Sequence, residues 1–240
     1  MPPTGFLPRP RPRIPRFALS PIQRHKQTFL SSILSSSPLA PQILTASRRL
    51  PYNHAALYSI IANIDSYSAF LPYCSTSRVT AWTAHEDPEF GRRWPTRADL
   101  TAGWGGLEQT YTSRVFCVPG SIVEALSGEG ARSGIAPDVL AKYGLRDEPS
   151  SIPAGSGGGG EEGVFKTLVT RWTITPVTPG GRGEDAVVRT GRQGDWSDIN
   201  LNIRFQFANP LYGAVSSAVA DKVAPVMIEA FVERAKKLLG

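Results

Sequence analysis

Acidic residues are missing from the start of this 240-residue chain, where the first carboxylate is Asp65. The whole chain has 26 Lys and Arg against 20 Asp and Glu, a formal net charge of +6. Residues 1–40 hold six of the basic residues, so the other 20 balance the 20 acidic residues in the rest of the chain. A net positive charge usually indicates a nucleic acid or an anionic membrane as partner. Here the net positive charge lies in residues 1–40, and residues 41–240 are neutral overall. We therefore predict no nucleic-acid partner.

Cysteine, histidine and long apolar runs are also scarce. The two cysteines, Cys74 and Cys117, exclude a disulfide framework and a zinc cluster built from cysteine alone, and we expect reduced, buried thiols. The three histidines share no metal-ligand spacing with each other or with the cysteines, so no metal site is predicted. No apolar run approaches the roughly 18 residues of a membrane-spanning helix. An apolar content of 41% is nevertheless ordinary for a folded domain.

Recognisable catalytic motifs are missing as well. Residues 155–160 match the letters of a GxGxxG motif, but no apolar strand precedes them and the two glutamates that follow would repel a pyrophosphate. A low-complexity linker is the better interpretation. Asp195 and Asp198 flank Trp196 in what reads as a polar, solvent-exposed loop, and no serine lies in a nucleophile elbow. We therefore predict no catalytic residue, no cofactor and a protein that is not an enzyme.

Residues 1–40 have the composition of a mitochondrial or plastid presequence, because they are rich in Arg, Ser and Pro and contain no acid. A short amphipathic helix is predicted at 22–34. Two alternatives stay open: a plain disordered tail, or a ligand of SH3 type through the PxxP motif at Pro12 and Pro15. We predict a disordered mitochondrial presequence over 1–40 and one folded domain over 41–240.

The folded part reads as a helix, a meander of strands and a long final helix. Asn53 is expected to cap the first helix, and Asp65 a short helical turn that ends at Pro72. Runs of apolar and β-branched residues, several of them alternating with polar ones, predict strands at 43–50, 77–84, 96–104, 109–118, 121–126, 164–174 and 201–207. Such a sheet with one apolar face, covered by one long helix, makes a two-layer α+β body.

Two glycine-rich insertions interrupt the strands, at 127–163 and 178–195. Both are predicted to be solvated loops, with a short helix around 137–143 in the first. The final helix starts at Pro210 and is expected to face the sheet with many small side chains. Small side chains leave room for a cavity between the two layers.

Several segments of the sequence resemble one known family. They are DSYSAFLPYC at 65–74, LEQTYTSRV at 107–115, FKTL at 165–168 followed by Trp172, FQFANPLY at 205–212 and AFVERA at 230–235. Together they resemble the START-like, polyketide cyclase superfamily and, more narrowly, the mitochondrial coenzyme Q-binding protein family. The resemblance covers about 43–126, 164–176 and 199–239. Two departures are the long insertion at 127–163 and the lack of bulky phenylalanines at 219–221.

The resemblance implies a helix-grip START-like fold, in which a curved antiparallel sheet wraps around a long C-terminal helix and encloses a hydrophobic tunnel. It implies ubiquinone, or a late precursor, as the bound ligand and a peripheral place on the matrix side of the mitochondrial inner membrane. It further implies a carrier or chaperone role that supports quinone function in the respiratory chain and efficient quinone biosynthesis. Respiratory or quinone-biosynthesis complexes are then candidate partners.

Residues that line such a tunnel are predicted from the alternation of the strands and the spacing of the last helix. Leu71, Pro72 and Tyr73 are expected at its mouth, where an amphipathic tyrosine can meet a bilayer surface. Tyr111 and Ser113 are the candidate hydrogen-bond donors to a ligand headgroup. The remaining predicted lining residues are Val115, Leu168, Trp172, Ile203, Phe205, Val219, Val223 and Met227.

Two other classes of function compete with a lipid-binding module. A polyketide cyclase or aromatase would use the same cavity but requires a general acid or base that faces it. The predicted inward positions offer only Tyr, Ser and Cys, which disfavours this alternative. An interaction module would accept a partner peptide in an apolar groove, and it predicts a solid core without a cavity.

Overall fold

An antiparallel sheet and a long C-terminal helix form the two layers of the fold. The computed structural model describes residues 41–104, 107–128, 130–147, 165–177, 196–208 and 210–240, with the backbone alone for 104, 107 and 210–221. The elements are β1 (Gln42–Leu50), α1 (His54–Ala62), a 3₁₀ helix (Ile64–Ala69), β2 (Cys74–Trp82), β3 (Pro95–Trp104), β4 (Leu107–Val118), β5 (Ile122–Ser127), α2 (Pro137–Lys142), β6 (Phe165–Val177), β7 (Trp196–Phe207) and α3 (Pro210–Leu239).

All described residues belong to one unit, Ser36–Gly240. The predicted presequence at 1–40 and the predicted insertion at 178–195 lie outside the described residues. The domain limits drawn from the sequence therefore stay a prediction.

The seven strands form one curved sheet in the order β1-β7-β6-β5-β4-β3-β2, and every neighbouring pair is antiparallel. β7 alternates between a buried face and a more exposed face along its whole length. Because β7 already begins at Trp196, the predicted loop around Asp198 is wrong. The register places Asp198 opposite Arg49 of β1, and the two side chains form an ion pair at 2.7 Å.

The connection from β1 to β2 is held by two hydrogen bonds of side chains, one of which is a helix cap. Asn53 Oδ1 accepts a hydrogen bond from the Ala55 amide at 2.8 Å, which confirms the predicted cap of α1. Asp65 does not cap the 3₁₀ helix, so that prediction is wrong. Its Oδ1 instead accepts from the Val79 amide at 2.6 Å and ties this helix to β2.

The main core lies between the inner face of the sheet and the helices. α3 packs against β1 and β7, and α1 packs against β5 and β6. Leu57 of α1, Phe231 of α3 and Leu201 of β7 are almost completely buried there. The rings of Trp172 and Phe231 lie 5.3 Å apart across the two layers. Within the described residues, no helix has both the length and the apolar character that a membrane span requires.

A second, smaller core covers the outer face of β4, β5 and β6. It joins outward side chains of these strands to the described part of the 127–163 insertion, namely Phe116, Val118, Leu126, Val169, Ala131, Ile135 and Leu140. The prediction of a solvated loop is therefore wrong at Ala131, Ile135 and Leu140, whereas most other side chains of 131–147 are exposed, and the predicted short helix is present as α2. Apolar side chains on both faces of the strands make this covering favourable.

One buried carboxylate and one half-buried ion pair attach the same segment to the sheet. Glu124 of β5 is 0% exposed, and Arg171 of β6 donates to its Oε1 from Nε at 2.9 Å and from Nη2 at 2.6 Å. Ser133 Oγ donates to the other carboxylate oxygen at 2.5 Å. Arg114 pairs with Asp147 at 3.0 Å. The bonds from Ser133 to Glu124 and from Arg114 to Asp147 are charge-assisted, and they fix the position of 131–147 on the sheet.

Candidate functional site

A cavity of about 190 Å³ lies between the inner face of the sheet and the helices. Its wall includes these residues, which the sequence analysis predicted to line a tunnel: Leu71, Pro72, Tyr73, Tyr111, Ser113, Val115, Leu168, Trp172, Ile203, Phe205, Val223 and Met227. Val219 belongs to α3, but its side chain lies outside the described residues. The structure thus brings the other predicted positions together around one space, whereas their role in binding stays a prediction.

The strand register orders the lining residues along the cavity. Tyr111, Ser113 and Val115 are successive inward positions of β4, about 7 Å apart because a strand rises about 3.4 Å per residue. Val115 pairs with Ala125 of β5, and Ala125 pairs with Thr170 of β6. The inward side chains of paired residues therefore lie side by side in rows that run across the strands.

The predicted mouth residues link the cavity to the surface. Leu71 is buried, Pro72 is half-buried and Tyr73 is 43% exposed, and all three line the cavity. Tyr73 has a φ of 64°, a left-handed conformation that is uncommon for a non-glycine residue. Its carbonyl accepts a hydrogen bond from the Gly103 amide at 2.9 Å, which holds this conformation against β3. The Tyr73 side chain thus stands at the edge of the cavity and in solvent.

The wall of the cavity holds few polar groups, and most of these are uncharged hydrogen-bond donors. The hydroxyls of Ser113 and Ser127 lie 2.6 Å apart in a hydrogen bond. The Tyr111 hydroxyl bonds to no described residue, and burial raises the pKa of this phenol, so it stays protonated. The indole N–H of Trp172 is buried and has no partner among the described residues. Tyr67 differs, because its hydroxyl donates to the Ile61 carbonyl at 2.5 Å.

The lining residues that the sequence analysis missed come largely from the neighbours of the predicted ones. They are Leu44, Ile64, Tyr67, Cys74, Leu100, Ala102, Val123, Ala125, Ser127, Phe165, Thr170 and Phe207. Phe165 is the clearest omission, because its ring lies 5.5 Å from those of Tyr111 and Phe205 and 5.0 Å from that of Phe207. An aromatic residue at the start of an alternating strand was the signal that could have found it.

The two thiols occupy different places. Cys74 lines the cavity next to the mouth, and Cys117 is buried in the main core. Burial raises the pKa of Cys117 to about 12, and its Sγ donates to the Pro95 carbonyl at 3.7 Å. Burial also raises the pKa of Cys74. Both thiols are free.

Comparison with known proteins identifies the family. Residues 50–128 and 160–232 match the family described as polyketide cyclase / dehydrase and lipid transport. The mitochondrial coenzyme Q-binding protein coq10 of Schizosaccharomyces pombe is 31% identical over 191 residues, which cover 80% of this chain and 85% of that protein. The ribosome association toxin RatA of Pseudomonas aeruginosa is 27% identical over 194 residues, covering 81% of this chain and 95% of the toxin.

A solved structure shows the same fold at low sequence identity. The Zhui aromatase/cyclase from Streptomyces sp. R1128 superposes with a TM-score of 0.53 at 10% identity, over 84% of this chain and 97% of that one. This likeness confirms the predicted α+β helix-grip fold of the START-like type. Taken together, fold and sequence show that the chain belongs to the polyketide cyclase / dehydrase and lipid transport family and, within it, to the coenzyme Q-binding protein family.

Proposed function

We propose that this protein binds ubiquinone, or a late precursor of it, in the cavity between the sheet and α3. The observation that carries the proposal is an apolar cavity of about 190 Å³ whose wall holds only a few uncharged polar groups. Such a wall suits an uncharged ring with an isoprenoid tail, because apolar area supplies the affinity and few polar atoms need partners. The name of the 31% identical relative supports the same ligand.

The size of the cavity indicates which part of the ligand it encloses. An engineered apolar cavity of about 150 Å³ accepts benzene, whereas drug-sized ligands occupy pockets of about 300–1,000 Å³. A volume of about 190 Å³ therefore suits the quinone ring and the first part of the tail. Each buried CH₂ group of the tail contributes about 0.8 kcal/mol. The rest of a long tail then passes the mouth at Tyr73.

We further propose that the protein acts as a carrier or chaperone, peripheral to the mitochondrial inner membrane on its matrix side. The exposed Tyr73 at the mouth supports this, because tyrosine side chains favour the boundary between a membrane and water. A ligand can leave through such a mouth directly into a lipid layer. Delivery to respiratory or quinone-biosynthesis complexes, and with it support of respiration and of quinone biosynthesis, follows from this role.

The alternative of a cyclase or aromatase has less support. A catalyst of that type requires a general acid or base in the cavity. Among the lining residues that the structure describes there is no Asp, Glu, His, Lys or Arg. The similarity to the aromatase/cyclase concerns the fold, and a shared fold does not imply a shared reaction. We therefore propose a binding protein that catalyses no reaction.

A cavity-filling variant tests the proposal. Val223 of α3 lines the cavity, and V223W places an indole in the space that the ring of the ligand would occupy. We expect the wild-type protein to carry a quinone that organic extraction and mass spectrometry detect, and V223W to carry none. Overpacking in a core costs about 1–3 kcal/mol, so circular dichroism and denaturant unfolding establish that V223W still folds.

Val226 supplies the matched control, because it lies three residues further along the same helix and is 39% exposed. V226W adds the same side chain outside the cavity and is expected to keep its quinone. Ubiquinone transfer between donor and acceptor vesicles then measures the carrier role. A wild-type protein that is free of lipid and has no affinity for quinones in detergent exchange contradicts the proposal.

A further inference from the structure

The buried polar groups of the cavity include one feature that an apolar space does not require, the hydroxyl pair of Ser113 and Ser127. Ser113 is 5% exposed and Ser127 is 7% exposed. Arg114 pairs with Leu126 in the ladder between β4 and β5, which sets the two serines side by side on the inner face. Both line the cavity, and their oxygens are 2.6 Å apart.

The hydrogen-bonding capacity of this pair is only partly used. Each hydroxyl offers one hydrogen and two acceptor lone pairs. The bond between the two serines uses one hydrogen and one lone pair, and neither hydroxyl has a second bond to any described residue. One hydrogen and several lone pairs are therefore left at the cavity wall. A buried donor without an acceptor is unfavourable, so a ligand oxygen at this point gains affinity from it.

We propose that the Ser113–Ser127 pair holds a ring oxygen of the ligand and accepts the oxidised and the reduced ring equally well. This inference rests on the proposed function. A quinone carbonyl only accepts hydrogen bonds, whereas a quinol hydroxyl also donates one. The pair serves both, because its free hydrogen donates to a carbonyl and its lone pairs accept from a hydroxyl. A carrier built in this way binds its cargo in either redox state.

The place of the pair agrees with a ring inside the cavity and a tail at its mouth. Ser113 is the next inward position after Tyr111 on β4. Ser127 of β5 pairs with Leu168 of β6 in the register of the sheet. Leu168 in turn pairs with Phe205 of β7, whose ring lies 5.5 Å from that of Phe165, and Phe207 lines the same cavity. Flat apolar side chains around one polar pair suit a flat ring that carries an oxygen at its edge.

The test uses the double variant S113A/S127A in the full chain. Replacing both partners of a buried hydrogen bond by apolar groups leaves no unsatisfied partner behind, so we expect the variant to fold. Dissociation constants are measured for a short-tail ubiquinone analogue and, without oxygen, for its quinol. We expect both to rise about threefold to tenfold, the factor that one neutral hydrogen bond provides.

Thr101 and Thr110 provide the control, because their hydroxyls also form a hydrogen-bonded pair on the strands β3 and β4, at 2.8 Å, to which Thr76 donates a further bond. Neither lines the cavity, so T101A/T110A is expected to bind both forms as the wild type does. If S113A/S127A does not fold, S113C/S127A replaces it, because a thiol fills the space of the hydroxyl and donates only weakly. The infrared carbonyl band of bound quinone is then measured as well. That band is expected to shift upward when a hydroxyl that donates to it is removed.

Three outcomes overturn the inference. One is an unchanged affinity of S113A/S127A for both redox forms, and another is a loss confined to one form. An infrared carbonyl band that is the same in the wild type and in the double variant that folds is the third. A wild-type protein that binds neither form overturns the proposed function instead, so the two failures are distinguishable.

Discussion

The two cysteines illustrate how position alone determines the behaviour of a side chain. Cys117 lies in the main core, where burial raises its pKa to about 12, so its reactive thiolate is almost absent at neutral pH. Cys74 is only partly buried and lines the cavity beside the mouth. A ligand that fills the cavity must therefore shield Cys74 and leave the chemistry of Cys117 unchanged.

This difference predicts a simple assay of occupancy. At pH 8 a maleimide is expected to label Cys74 and not Cys117 in the native protein, and a saturating short-tail quinone is expected to slow the labelling. C74S is the control, and it is expected to react only after denaturation exposes Cys117. Peptide mass spectrometry identifies the labelled residue. Equal labelling of both thiols would contradict the difference in their burial. A labelling rate at Cys74 that quinone does not change would contradict binding of quinone next to Cys74.

Sequence patterns predict the inward residues well where only one face of a strand is apolar. In β7 the buried Ile203 and Phe205 alternate with Asn202 and Arg204, so the inner face is evident from the sequence. Partners that are distant in the chain are not evident. Asp65 bonds to β2 and Asp198 to β1, and only the register of the folded sheet determines which neighbour each carboxylate meets.

At the level of elements, β5 shows why part of the site was missed. Its inward Val123 and its outward Leu126 are both buried, because the cavity lies on one side and residues 131–147 on the other. Alternation disappears from a strand that is covered on both faces. The outer covering depends on apolar residues within a glycine-rich segment, whose composition resembles that of a solvated loop. Composition therefore could not reveal it.

Leu140 of α2 tests whether this covering contributes to stability. The side chain is buried against the outer face of the sheet, so L140A is expected to reduce the free energy of unfolding by about 2–5 kcal/mol, the usual range for removing a buried leucine. Denaturant unfolding measures the change. Because Leu140 does not line the cavity, the affinity of the folded variant for quinone is expected to stay the same.

The exposed Lys142 at the end of the same helix is the control, and K142A is expected to change stability by less than about 0.5 kcal/mol. An L140A variant as stable as the wild type would show that α2 adds nothing to the fold. A weaker affinity for quinone would show that the outer covering also controls the cavity.

At the scale of the whole molecule, the net positive charge of the sequence lies in the first 40 residues and not in the domain that contains the cavity. The six basic residues of 1–40 account for the entire net charge of +6, so the domain that contains the cavity is neutral overall. A neutral body suits an uncharged ligand, because no strong field of one sign is needed to attract it. The six basic residues of 1–40 agree with the predicted mitochondrial presequence, because the negative interior of mitochondria attracts positive charge.

The separation of charge predicts that the first 40 residues alone direct transport. A fusion of 1–40 to a fluorescent protein is expected to accumulate in mitochondria, and the chain without 1–40 is expected to stay outside yet still bind quinone after purification. Replacing the six basic residues by glutamine is the matched control, because it keeps length and proline content while removing the charge. Retention of the charge-free fusion in mitochondria, or exclusion of the wild-type fusion, contradicts a charge-based address. Loss of quinone binding in the truncated chain would instead show that residues 1–40 are part of the folded domain.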